Sequence, residues 1–110
     1  MANVYKNIQA KVTSAGSFDD MYTAPAETTS IVKTIKLFNG SALDVEIKIY
    51  DASGATDYEY DIANVTASDG VDLLTFNNIL ILEAGDKIKM KCATGNVIKM
   101  TASVLQTSRT

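Results

Sequence analysis

The sequence predicts an all-β fold, a single antiparallel β-sandwich of seven to eight strands, and three observations carry that prediction. Apolar and charged residues alternate strictly over Leu43 to Ile49 and over Asp57 to Ile62, the period of two that half-buried strands require. Turn residues punctuate the chain at intervals of about ten residues, as in sandwiches and barrels. No i, i+3, i+4 apolar stripe competes with this pattern. An Ig-like and a jelly-roll-like strand order are both compatible with it, because period and turn chemistry define strands and not their pairing.

Each element follows from local pattern. Val4, Ile8, Ala10 and Val12 share one parity and predict a first strand over Val4 to Thr13, ended by Ser14 to Ser17. An extended piece over Phe18 to Thr23 comes next. Pro25, the only proline, cannot donate to a central ladder and marks a loop or an edge. The β-branched run Ser30 to Phe38 puts Ile31, Ile35 and Leu37 on one side and Val32 and Phe38 on the other, so both sides are expected to be partly covered.

Asn39-Gly40-Ser41 tolerates the positive φ of a tight hairpin and leads into a strand over Leu43 to Tyr50. Asp51 to Ala55 then turns the chain into Thr56 to Ile62, which completes an expected three-strand meander from Ile31. Ala63 to Gly70 reads as a polar connection. Val71 to Phe76 follows, and Asn77-Asn78 separates it from Ile79 to Leu82, a short apolar run suited to a buried strand. After the turn Glu83 to Asp86 come the alternating Lys87 to Cys92, a connection over Ala93 to Asn96, and a last strand over Val97 to Leu105. No repeat or linker divides the chain, so residues 1–110 are expected to form one domain, with about 1–3 and 106–110 frayed.

At 110 residues and 46% hydrophobic, the chain suits one core, and at this size oligomerisation would be a natural support. A formal net charge of −3 argues against a nucleic-acid partner, which needs a dense field of Lys and Arg. The N-terminus lacks a continuous apolar h-region, and no stretch approaches the ~20 apolar residues of a membrane span. Synthesis in the cytoplasm without a cleaved signal, and no membrane contact, are therefore expected.

The chain contains no histidine, no Gly-x-Ser-x-Gly elbow, no Gly-rich phosphate loop and no metal-ligand cluster. No catalytic, cofactor-binding or metal residue is assigned, and no enzyme activity is expected. Asp57 with Glu59, or Asp19 with Asp20, are the carboxylate pairs formally available for acid and base work. The single cysteine, Cys92, cannot form an intramolecular disulfide and falls on the apolar side with Ile88 and Met90, as a small core residue would.

Three constellations admit a functional and a plainer reading. Asp44, Glu46, Asp51, Asp57, Glu59, Asp61, Asp69 and Asp72 concentrate acid in the middle, offset only by Lys48. Strand-end carboxylates could hold Ca²⁺, but alternate residues on a strand do not converge, and a solvated strand face accounts for them. From Lys87 onward the chain carries Lys87, Lys89, Lys91, Lys99 and Arg109 and no acid. Such a segment could bind an anionic surface or guard an edge strand, and together with the acidic middle it predicts an electrically two-sided molecule. Tyr50, Tyr58 and Tyr60 could form a sugar platform, yet Tyr58 and Tyr60 share the apolar parity of Ile62 and are expected to cover the core.

Three stretches together carry a resemblance: Ala2 to Ala10, Tyr22 to Ile35 with its Tyr22-Thr23-Ala24-Pro25-Ala26 loop, and Ile81 to Lys89 with its Leu82-Glu83-Ala84-Gly85-Asp86 turn. In these the chain resembles a family of small structural proteins of tailed-phage virions. The resemblance implies a β-sandwich on the particle, a capsid decoration (cement) protein or the base of a head fibre. Its implied partners are the major capsid protein or other virion proteins, with several copies associating. A neck, tail or baseplate component and a glycan- or Ca²⁺-binding sandwich module are the alternatives. The acidic middle departs from the family's general pattern.

Overall fold

In the computed structural model the described residues form nine β-strands: β1 (Asn3–Lys11), β2 (Asp19–Thr23), β3 (Thr28–Asn39), β4 (Leu43–Asp51), β5 (Thr56–Val65), β6 (Asp69–Leu74), β7 (Leu80–Leu82), β8 (Lys87–Lys91) and β9 (Ile98–Ser108). The structure describes residues 3–13, 16–39, 43–65, 69–74, 79–92 and 98–108, with backbone alone at 39, 43–44, 61–65 and 69–74. Among the described residues no helix is long and apolar enough to cross a membrane.

The strands form two antiparallel sheets, ordered β1-β9-β3-β6 and β2-β8-β4-β5. Strand β7 pairs with β3 at Ser30 to Val32 and β6 pairs with it at Ile35 to Asn39, so the two share one edge of β3 and fill one of eight strand positions. The partnerships are nested: β1 with β9, β2 with β8, β3 with β6 and β7, β4 with β5. A long antiparallel hairpin rolled into two layers gives this order, which is that of a jelly roll and not of an Ig sandwich.

The nesting overturns the expected meander. β3 lies in one sheet and β4 in the other, so the segment holding Asn39-Gly40-Ser41 carries the chain between layers and closes no hairpin. Gly40 and Ser41 themselves lie outside the described residues, as do Phe76, Asn77-Asn78, 93–97 and Arg109. The hairpin from β4 to β5 does form, across Asp51 and its neighbours: the Asp51 carboxylate accepts from the Ser53 amide at 3.2 Å and the Ser53 hydroxyl at 2.8 Å. The expected polar connection over Ala63 to Gly70 is shorter, because β5 runs through Val65 and β6 begins at Asp69. At the C-terminus, β9 pairs with β1 and β3 through Thr107 and with β3 at Ser108, so 106–108 are strand where fraying was expected.

The core lies between the sheets. Ile98, Met100, Ala102 and Val104 from β9, Val32, Ile35 and Leu37 from β3, and Ile47, Ile88 and Met90 from the facing sheet are essentially sealed from solvent. Each of the Val, Ile, Leu and Met side chains among them contributes roughly 1.5–3 kcal/mol by burial. The bulge between Val32 and Thr34 corrects the parity read from the sequence. Inward positions run Ser30, Val32, then Ile35 and Leu37, so Ile31 faces outward, opposite to the side on which Ile35 and Leu37 sit.

Candidate interaction surfaces

On the outer face of the sheet β2-β8-β4-β5, the lysines of β8 stand among carboxylates from three neighbouring strands. Lys87 pairs with Asp20 at 3.2 Å, Lys89 with Asp57 at 3.4 Å and Lys91 with Glu46 at 3.3 Å. Only Glu46 and Lys91 are direct register partners; Asp20 lies opposite Lys89 and pairs diagonally with Lys87, and Asp57, in line with Tyr50 and Lys87, pairs diagonally across β4 with Lys89. The lysine heads also sit over aromatic rings, Lys87 and Lys89 over Tyr50 at 5.6 and 4.9 Å, Lys48 and Lys91 over Phe18 at 4.6 and 5.0 Å. Each exposed pair contributes ~0–1 kcal/mol, so this lattice fixes side-chain positions more than it stabilises the fold.

The pairing corrects the expected electrical division. Segments 44–72 and 87 onward do not form opposed faces, because β8 is hydrogen-bonded to β4 and its lysines neutralise their neighbours. The division falls between the sheets. Strands β2, β8, β4 and β5 carry eight acids against four lysines, while β1, β9, β3 and β6 carry five lysines against two acids, Asp69 and Asp72, both on β6. Lys99 belongs to that second group, away from Lys87, Lys89 and Lys91.

Of the carboxylates weighed from sequence, Asp19, Asp20, Glu46, Asp51 and Asp57 are engaged locally. Asp19 accepts from the amide and hydroxyl of Thr13, at 2.6 and 3.2 Å, and closes the β1–β2 connection, while its neighbour Asp20 holds Lys87. Asp57 holds Lys89 and Asp51 caps its own turn. Among the described residues no group of three or more His, Cys, Asp or Glu is placed to hold a metal ion. The side chains of Asp44, Asp61, Asp69 and Asp72 lie outside the described residues. A shallow hollow of about 400 Å³ opens between Phe18, Glu46, Lys48, Glu59, Tyr60 and Lys91, which offers charge and aromatic surface and no nucleophile.

Tyr58 and Tyr60 do not cover the core. They are 58% and 39% exposed, because β5 is an edge strand and a bulge opposite Ile47 and Lys48 breaks the alternation that tied them to Ile62. Cys92 is buried, 3% exposed, beside Ile88 and Met90.

The sequence reading missed a surface on the opposite sheet. Tyr5 of β1 registers with Leu105 of β9, Leu105 with Ile31 of β3, and Ile31 with Ile81 of β7. These four make an outward apolar row across four strands, with Tyr5 73% and Ile81 57% exposed, and Leu105 and Ile31 half-buried. Lys33, the bulged residue, reaches over the Tyr5 ring at 5.6 Å. The run Ile79 to Leu82 is thus not a buried strand: Leu82 is sealed, but Ile79 and Ile81 are at the surface. Tyr5 lay on the polar parity of β1 and could have signalled the row; Ile31 could not, since only the bulge turns it outward.

No family model and no curated protein matches the sequence. Solved structures do match the architecture, two of them as follows. A chain of the Bacillus endospore appendages, described as a family of disulfide-linked pili, aligns over 98% of this chain and 89% of its own, with a TM-score of 0.58 and 11% identity. A chain of the virus-like particle of the extra small virus of the giant freshwater prawn Macrobrachium rosenbergii aligns over 96% of this chain and 79% of its own, with a TM-score of 0.50 and 10% identity. What is shared is the fold. Both neighbours come from assemblies, a pilus and a virus-like particle, and neither shares the sequence at a level that carries function across.

Proposed function

We propose that this protein is a non-enzymatic structural subunit of a particle, most specifically a decoration protein on the capsid exterior of a tailed phage. The observation that carries the reading is the exposed row Tyr5, Leu105, Ile31 and Ile81 on the outer face of one sheet of a jelly roll whose other sheet sets the lysines of β8 in ion pairs of its own. A contiguous apolar patch on a small domain marks a contact surface. The jelly-roll likeness to a virus-like particle chain and the resemblance of the Tyr22 to Ile35 and Ile81 to Lys89 stretches to phage virion proteins support the particle setting. Its partners would be the major capsid protein and further copies of itself. A disulfide-linked filament is a poorer fit, because the one cysteine is buried.

In this role the domain buries surface across capsomer boundaries, and many weak, repeated contacts add to a large cohesion. Quantitative mass spectrometry of purified virions tests it. Hundreds of copies per particle are expected; a dozen or fewer would move the protein to the neck, tail or baseplate.

A further inference from the structure

We infer that the row Tyr5, Leu105, Ile31 and Ile81 docks onto the β5 edge of a second copy of this chain, against Tyr58 and Glu59, in a head-to-tail contact. The inference deepens the structural-subunit reading and rests on it only in treating the row as a partner surface.

Charge selects the occupant. The strands bearing the row carry five lysines and no acid on β1, β3 and β9, and among the described residues none of these five lysines lies in an ion pair. Lys33 and Lys6 stand beside the row, Lys6 from an inward position on the edge strand from which its head reaches solvent. Two such faces brought together would oppose lysine to lysine, so a two-fold contact is disfavoured. The β5 edge is the complement: the strand carries no base, Glu59 lies in no ion pair among the described residues, and Tyr58 next to it in sequence is 58% exposed. Tyrosine on each side, Tyr5 and Tyr58, supplies the rigid amphipathic area typical of contact centres.

The two surfaces also lie apart. The row crosses the outer face of one sheet from β1 to β7, while β5 is the edge strand of the other sheet, so one copy engages two neighbours at once. Such a heterologous contact closes into a ring or continues as a filament, according to the rotation between copies.

Two face-capped variants test it. Ile81→Asp disables the row and leaves the β5 edge; the pair Tyr58→Lys with Glu59→Lys disables the edge and leaves the row. By analytical ultracentrifugation at up to ~0.5 mM, wild type is expected to exceed a dimer, and each variant to stay monomeric alone. Mixed, the two are expected to form a 1:1 dimer, about tenfold weaker at ~0.5 M salt, where screening shortens to a few Å. A wild type that stays monomeric, or an edge-capped variant that still pairs with itself, overturns the inference. Circular dichroism checks folding, and Tyr5→Lys replaces Ile81→Asp if the latter misfolds. Virion copy number reads separately: many copies with a monomeric wild type sink the pairing alone, while self-association with a dozen copies or fewer sinks the capsid role alone.

Discussion

The side-chain amide of Gln106 donates a 2.7 Å hydrogen bond to the hydroxyl of Tyr22, which lies 84 residues earlier and in the other sheet. The same hydroxyl lies 2.8 Å from Ser30 Oγ, and Ser30 is fully buried. The Tyr22 and Ser30 hydroxyls share that second bond, in which either can donate. A three-residue chain thus ties β9, β2 and β3 across the interior and satisfies a hydroxyl that no water reaches.

Removing the middle of that chain leaves Ser30 without its partner. Tyr22→Phe is expected to lower stability by about 1–3 kcal/mol, a fall in Tm of roughly 4–8 °C per kcal/mol. Adding Ser30→Ala to it should recover part of the loss, because the orphaned hydroxyl is then gone. Thermal unfolding of the two variants checks this; a double variant less stable than Tyr22→Phe alone would sink the account.

Burial separates isoleucines that hold the fold from those that meet a partner. Ile88→Ala, fully buried on the central strand β8, is expected to cost about 2–5 kcal/mol. Ile81→Ala, 57% exposed, is expected to change stability by less than ~0.5 kcal/mol while weakening self-association. Urea unfolding reads the first quantity and sedimentation the second.

The turn Glu83 to Asp86 is a junction of three loops. The Asp86 carboxylate accepts from the amides of Ala52 and Glu83, each at 3.0 Å, while the Ala24 amide donates to the Asp86 carbonyl and the Gly85 amide to the Ala24 carbonyl, each at 2.9 Å. Gly85 has φ of +88°, and a Cβ there would stand 3.0 Å from the Ala52 methyl. Gly85→Ala is expected to cost about 1–2 kcal/mol through backbone strain and that contact. Asp86→Asn should cost a similar ~1–3 kcal/mol, since one acceptor becomes a donor facing an N–H. Unchanged melting in both variants would refute the junction.

Cys92 should react only when the fold opens. Ellman's reagent is expected to label the native protein slowly and the guanidinium-unfolded protein at once, given 3% exposure. Prompt labelling of the native state would contradict the burial of β8's end, and an assembly whose mass fell on reduction would bring the cysteine into its contacts.

The motifs that were legible in the sequence are those whose causes are local. Alternation over Leu43 to Ile49 gave β4 with Val45 and Ile47 inside, and the parity of Ile98, Met100, Ala102 and Val104 gave the inward face of β9 without error. The errors cluster where a bulge or an edge intervenes. Ile31 was assigned to the side of Ile35 and Leu37 because nothing in the residue types announces the extra residue at Lys33. Tyr58 has the right parity for a core residue but lies on a strand that the other sheet leaves open to solvent.

By itself, then, the sequence determined the all-β class, the positions of the strands and the chain's poverty in reactive groups, because period, turn chemistry and composition are properties of neighbouring residues. The tertiary structure alone decided that β3 and β4 part company, that the order is a jelly roll, that the lysines of β8 settle among the acids of β2, β4 and β5, and that Tyr5, Leu105, Ile31 and Ile81 align. Strand pairing joins residues as far apart in sequence as Asn3 and Thr107, and its register is fixed by packing and bulges that no local window contains.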